Sequence, residues 1–110
     1  MTNGDMRYAY IYDIARLFRK QSYPVIIMVL SDGPLRYSDI PRAILANTGV
    51  SEDERIVRRC LREMVDRDLL TKTVKGARVT YGLTQRGSKM ASRLADLGAA
   101  WSAKATPAHA

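Results

Sequence analysis

Little in this sequence offers covalent or metal chemistry. It has one cysteine, Cys60, and one histidine, His109. No disulfide can form within the chain, and the His/Cys clusters that hold transition metals are missing. Gly4, Gly76 and Gly87 do not make a phosphate-binding loop pattern. Long apolar runs are scarce too. The longest, Val25-Ile26-Ile27-Met28-Val29-Leu30, is far short of the roughly 20 residues a bilayer requires. The opening MTNGDMRYAYIYD contains Asp5 and Asp13 and lacks the charged start and apolar stretch of a signal peptide. These absences predict a reduced, cytoplasmic protein with no cofactor, no metal and no catalytic centre.

What is present is a chain of 110 residues, 46% hydrophobic and 26% charged. That is ordinary for one soluble domain and too rich in core formers for a disordered basic tail. The net charge is +7, from 18 Lys+Arg and 11 Asp+Glu. Eleven of the cations (Arg55, Arg58, Arg59, Arg62, Arg67, Lys72, Lys75, Arg78, Arg86, Lys89 and Arg93) fall within residues 55–93, against only Glu63, Asp66 and Asp68. That segment is therefore +8 and the rest of the chain −1. Positive charge concentrated in this way is the footprint of a polyanionic partner.

Hydrophobic periodicity predicts a first helix over residues 7–20, with Tyr8, Ile11, Ala15 and Phe18 along one face. Arg16, Arg19 and Lys20 sit at its C-terminal end, complementing the helix dipole. A second helix, 22–31, is capped by Ser22 and tolerates Pro24 in its first turn. It is apolar nearly all round and should be the most buried element, ending at Asp32-Gly33-Pro34. Ser38 is placed to cap a short third helix running to Leu45, with Ile40, Ile44 and Ala43 facing inward. After a turn at Asn47-Thr48-Gly49, Ser51 and Glu54 fit a capping box for a fourth helix ending near Arg67, with Asp53 a competing cap.

Residues 69–74 and 78–83 read as strands of a hairpin around Lys75-Gly76-Ala77. Thr84 caps a last helix, which carries Met90, Leu94, Leu97 and Trp101 on one stripe as far as residue 103. Residues 104–110 are expected to fray. The fold expected over residues 1–110 is a single domain, mainly α with a small β-hairpin. It is a winged helix-turn-helix core, 22–83, flanked by helices at 7–20 and 84–103.

The fourth helix carries the functional signal. Val57, Leu61 and Met64 form its inward stripe, with Ile56, Cys60 and Val65 beside it, while Arg55, Arg59 and Arg62 line the opposite face with Arg58 as neighbour. Surface helices usually interleave Glu with Arg. Here Glu63 can serve Arg59 and Arg67, but Arg55, Arg58 and Arg62 lack a good local partner. For one helix alone, a solvated basic face explains this equally well. As the second helix of a helix-turn-helix, the same face would lie in the major groove, where the arginine fork matches guanine O6 and N7. Arg55 and Arg58 are assigned to bases, Arg59 and Arg62 to phosphates. Lys72, Lys75 and Arg78 surround a small hairpin tip in which Gly76 lets backbone approach a phosphate or a narrow minor groove. Alone, those hairpin charges would be read as edge protection. Ser38 and Glu54, at the starts of the two motif helices, complete the candidate DNA-contacting set.

Three segments in order carry a family resemblance. Asp32-Gly33-Pro34-Leu35-Arg36-Tyr37-Ser38-Asp39-Ile40 resembles the DGP-R-F-S-E-L signature of the HxlR-type winged-helix transcription regulators, relatives of the MarR group. Arg59-Cys60-Leu61-Arg62-Glu63-Met64 followed by Asp68-Leu69-Leu70 resembles the end of their recognition helix, and Tyr81-Gly82-Leu83-Thr84-Gln85-Arg86-Gly87 resembles the segment joining wing to final helix. The resemblance implies a homodimer that binds double-stranded DNA at inverted half-sites, with the terminal helices making the dimer. There are departures as well. The turn from Asn47 to Asp53 is longer than the family pattern, the tip Lys75-Gly76-Ala77 is shorter, Tyr23-Pro24 replaces a Lys-Trp pair, and the N-terminal cysteine of many members is missing. The resemblance therefore carries the fold and not the signal.

The remaining residues admit two uses each. Cys60 lies among arginines that could depress its pKa for redox sensing, yet its phase beside Leu61 and Met64 favours burial. Tyr8, Ile11, Ala15, Phe18, Met90, Leu94, Leu97 and Trp101 make stripes too large for a domain of this size to bury alone, and an isologous dimer would cover them. The aromatic set Tyr8, Tyr10, Tyr12, Phe18, Tyr23 and Trp101 packs such an interface or lines a pocket for a small aromatic or lipophilic effector. A protein-interaction or RNA-binding module could use the same basic face.

Overall fold

The core is organised around one helix. Tyr23, Ile26, Ile27 and Leu30 are fully buried, and the other elements pack on them. The structure, a computed structural model, describes residues 7–19 and 22–104. The frayed tail expected from residue 104 lies, apart from Lys104, outside the described residues, as do His109 and Lys20. The elements are α1 (Tyr10–Phe18), α2 (Ser22–Val29), β1 (Leu35–Arg36), a 3-10 turn (Tyr37–Asp39), α3 (Ile40–Thr48), α4 (Glu54–Asp66), β2 (Leu70–Lys75), β3 (Arg78–Leu83) and α5 (Gln85–Lys104). The sheet order is β1-β3-β2, antiparallel throughout. This is the winged helix-turn-helix arrangement that the sequence predicts, with one strand more. Among the described residues no helix is long and apolar enough to cross a membrane.

Ser22 does not serve as a cap. It is a helical residue of α2, and its buried hydroxyl donates to Glu52 Oε1 at 3.0 Å, across thirty residues of chain. Ser38 does not cap either. Residues 37–39 are already wound as a 3-10 turn whose Tyr37 carbonyl accepts from Ile40 N–H, and α3 starts behind Asp39 with no side-chain cap. That helix also runs past Leu45 to Thr48. Asn47 Nδ2 and Thr48 Oγ1 bond back to the carbonyls of Ala43 and Ile44, and Gly49, at φ 74°, supplies the left-handed stop. The Ser51–Glu54 capping box gives way to Asp53, whose carboxylate accepts from Arg55 N–H at 2.8 Å. A cap of that kind is worth about 1 kcal/mol.

The third strand has its own cause. Gly33, at φ 140°, and Pro34 turn the chain after α2 so that Leu35 and Arg36 lie opposite Tyr81 and Thr80. Two residues give too short a pattern to read from sequence. The hairpin itself closes through Gly76, at φ 59°, which suits the first central position of a two-residue turn.

The junction of sheet and α5 is held tightly. Thr84 caps α5 as expected: its Oγ1 accepts from Gly87 N–H at 3.0 Å and also donates to the Asp68 carbonyl at 2.7 Å. Gly87 has no room for a side chain, since a Cβ there would stand 2.2 Å from the Leu69 carbonyl oxygen. Gly98, in the same helix, faces open space. The two glycines should therefore respond oppositely to alanine. Gly87→Ala is expected to lower stability by more than about 2 kcal/mol, whereas Gly98→Ala should raise it by about 0.5–1 kcal/mol through helix propensity. Urea unfolding midpoints of the two variants check this.

Candidate nucleic-acid interface

Helix α4 is built to show one face. Asp53 caps its start, Glu54 lies in its first turn where the dipole favours an acid, and Asp68 ends it at φ 61° while Leu69 N–H bonds to the Met64 carbonyl. Val57, Leu61 and Met64 are buried as expected, and so is Cys60. Ile56, expected on the flank of this stripe, is 39% exposed. Arg55, Arg58, Arg59 and Arg62 are all exposed. Arg55 has one acidic neighbour, Asp53, with Nε 4.0 Å from Oδ1 and a side chain 89% exposed. A pair so loose contributes at most about 1 kcal/mol and leaves the guanidinium open.

The edges of this face are fastened by tyrosines. On one edge Tyr23 of α2 donates its hydroxyl to Glu63 Oε1 at 2.6 Å, so the acid that Arg59 was expected to share serves the buried seam between α2 and α4. Burial, the bond to Glu63 and the charge of Glu63 together push the Tyr23 hydroxyl up to about 12, with Arg67 acting in the opposite direction. On the other edge the Arg58 guanidinium lies over the Tyr37 ring, 5.4 Å from its centroid. Tyr81, across the sheet, is likewise raised by burial and by Tyr37, and lowered by Arg58. Neither tyrosine was singled out from sequence as part of the site, because only the fold brings residues 23 and 37 beside residues 63 and 58.

The hairpin divides its cations between two faces. Lys75 pairs with Arg78 across the turn, and Lys72 pairs with Tyr81. Side chains alternate along a strand, so Lys72 shares the Tyr81 face while Lys75 and Arg78 share the other with Thr71, Thr73 and Thr80. The expected single cluster of Lys72, Lys75 and Arg78 is therefore split. Gly76 and both tip cations are exposed. Ser38 is exposed beside Tyr37, on the edge that carries Arg58, and Glu54 is exposed at the α4 N-terminus.

The stripes of the flanking helices face both ways. Phe18, Met90 and Leu94 pack partly on the core, whereas Tyr8, Ile11, Leu97 and Trp101 stand out, the last two 63% and 72% exposed. No residue of α1 is fully buried. Tyr23, grouped with these aromatics from sequence, belongs to the core.

A buried three-helix seam, an outward arginine helix and a three-stranded wing define a winged helix-turn-helix protein. The chain belongs to the HxlR-like helix-turn-helix family of transcriptional regulators, whose model matches residues 19–109. Among solved structures it is similar to the reduced transcriptional regulator YodB from B. subtilis, with TM-score 0.66, 24% identity, and 90% of each chain covered. It is also similar to the putative transcriptional regulator ytfH from Salmonella typhimurium, with TM-score 0.65, 24% identity, and 82% of this chain and 78% of that one covered. A third likeness is F93 from STIV, a winged-helix DNA-binding protein, with TM-score 0.65, 18% identity, and 71% and 87% covered. No curated protein matches the sequence.

The Tyr23 seam has a pH signature. The proton is held more tightly in the folded chain (about 12) than at the ordinary value of 10.0, so its stabilising contribution is complete below pH 10 and is lost as pH rises toward 12. Tyr23→Phe leaves Glu63 without this donor and should cost about 1–3 kcal/mol near neutral pH. That deficit should shrink as pH rises above 10. Unfolding free energies of both proteins across this range measure it, and a constant difference would contradict the assignment.

Proposed function

We propose that this chain is a homodimeric, sequence-specific regulator of transcription that binds duplex DNA at an inverted-repeat operator. The observation that carries this reading is the outward face of α4: Arg55, Arg58, Arg59 and Arg62 exposed together, above a fully buried Val57, Leu61 and Met64. A helix so presented fits the major groove. Arg55 and Arg58 read base edges, Arg59 and Arg62 hold phosphates, and Lys75, Gly76 and Arg78 reach backbone or minor groove alongside, with Lys72, Ser38 and Glu54 at the margins. Occupancy of the operator then excludes or recruits polymerase.

The exposed apolar surface of the flanking helices supports the dimer. Large apolar side chains stand exposed on α1 and on the far half of α5, where a monomer rarely leaves a contiguous patch. An isologous seam between these helices would cover the patch, and a small aromatic or lipophilic effector would enter there, beside Tyr8, Tyr10, Tyr12 and Trp101. Two-fold symmetry spaces the half-sites by roughly 10 bp or a multiple.

Selection of binding sites from random duplex DNA should return a palindromic consensus, with affinity falling with salt at a log–log slope near −0.9 per phosphate neutralised. Arg55→Ala should relax preference at one position by about 1–3 kcal/mol, whereas Lys75→Ala should weaken all sequences alike. A set of fragments bound without preference would favour the protein-interaction reading instead. Separately, Trp101→Glu with Leu97→Glu should convert the dimer to a monomer in sedimentation velocity, and an unchanged dimer would place the seam elsewhere.

A further inference from the structure

We propose that Tyr37 is a positioning residue for recognition, its ring serving as the platform that sets the direction of the Arg58 guanidinium. The inference rests on the DNA-reading role proposed for α4 and adds a specificity-determining residue outside that helix. Arg58 sits at the edge of the arginine face, and its guanidinium lies 5.4 Å from the Tyr37 centroid, within the range of an attractive cation–π contact. Arg55, by contrast, has only the 4.0 Å approach to Asp53. A guanidinium held against a ring loses fewer rotamers on binding than one free in water, so it can discriminate between base edges at lower entropic cost.

The ring is itself held. Tyr37 closes the 3-10 turn before α3, with its carbonyl accepting from Ile40 N–H, and its side chain packs half-buried against the core. Its hydroxyl oxygen is buried and has no hydrogen-bond partner among the described residues. What the side chain offers Arg58 is the aromatic surface of its ring. Phenylalanine should serve at this position, while an aliphatic residue of similar size should not.

Two measurements test this. In the DNA-free protein, the Arg58 Hδ and Hε signals should show an upfield ring-current shift that persists in Tyr37→Phe and disappears in Tyr37→Leu. A shift unchanged in Tyr37→Leu overturns the placement. On DNA, Tyr37→Leu should reduce preference at the position read by Arg58 by roughly two- to fivefold, with other positions unaffected and Tyr37→Phe close to wild type. In an Arg58→Ala background the same Tyr37→Leu change should do nothing further. Uniform weakening at all positions, or an equal effect in the Arg58→Ala background, overturns the proposal by making Tyr37 merely structural. If Arg58→Ala itself alters no base preference, Arg58 is not a base reader. That result falls on the proposed reading role of Arg58, and the ring-current result then stands apart from it.

Discussion

Everything this molecule presents outward depends on how α4 is seated against α2. The side chains of Val57, Leu61 and Met64 are fully enclosed, facing Tyr23, Ile26, Ile27 and Leu30. Burying residues of these types is worth about 1.5–3 kcal/mol each, far more than any contact made by the arginines. The hydrophobic seam therefore fixes the rotation of the helix, and the cationic face follows from it. A helix turned by one residue, about 100°, would drive Arg58 toward the core, where an unpaired charge is prohibitively costly. The Tyr23–Glu63 bond across one edge makes that rotation unique, because a carboxylate so close to the core needs its donor.

The arrangement gathers four exposed arginines on one face of α4. Ion pairs do occur among the described residues, Arg16 with Asp13 at 2.5 Å and Arg93 with Asp96 at 3.6 Å. These two lie on α1 and α5, while on α4 Arg55 has its loose approach to Asp53. Exposed pairs of this kind add little to stability. Solvent and salt screen the arginines of α4 over about a Debye length, so the repulsion is tolerable in the free protein and becomes an asset beside a polyanion, where released counterions drive association. Glu52 and Glu63 accept from Ser22 and Tyr23 of α2.

Much of this was legible in the residues. The apolar period of α4, the all-round apolarity of α2, the Thr84 cap and the hairpin tip depend on neighbours in sequence, where pattern and propensity act directly. The errors have a common origin. Ser22, Ser38 and Ser51 are good caps in principle, and in each case something non-local or adjacent decided otherwise: Glu52 drew the Ser22 hydroxyl, a 3-10 turn absorbed Ser38, and Asp53 offered a better acceptor than Ser51. β1 is only two residues long and exists because β3 passes beside it. Lys72 was grouped with the wing tip by proximity in sequence, whereas strand alternation puts it on the Tyr81 face. Tyr37 was visible as part of a motif, but its contact with Arg58 is tertiary and had no local signature.

The joint at Leu69 and Gly87 has a mechanical meaning. Arg86 donates to the Arg67 carbonyl, Thr84 N–H to that of Leu69 and the Thr84 hydroxyl to that of Asp68, so the first turn of α5 is bolted to the end of α4. From Gly87 to Trp101 the helix extends about 21 Å beyond that bolt. Its first half is held along the core through Met90, Ala91 and Leu94, and the turns bearing Leu97 and Trp101 stand exposed. The position of Trp101 relative to the arginine face of α4 is therefore set by the joint and by this packing together.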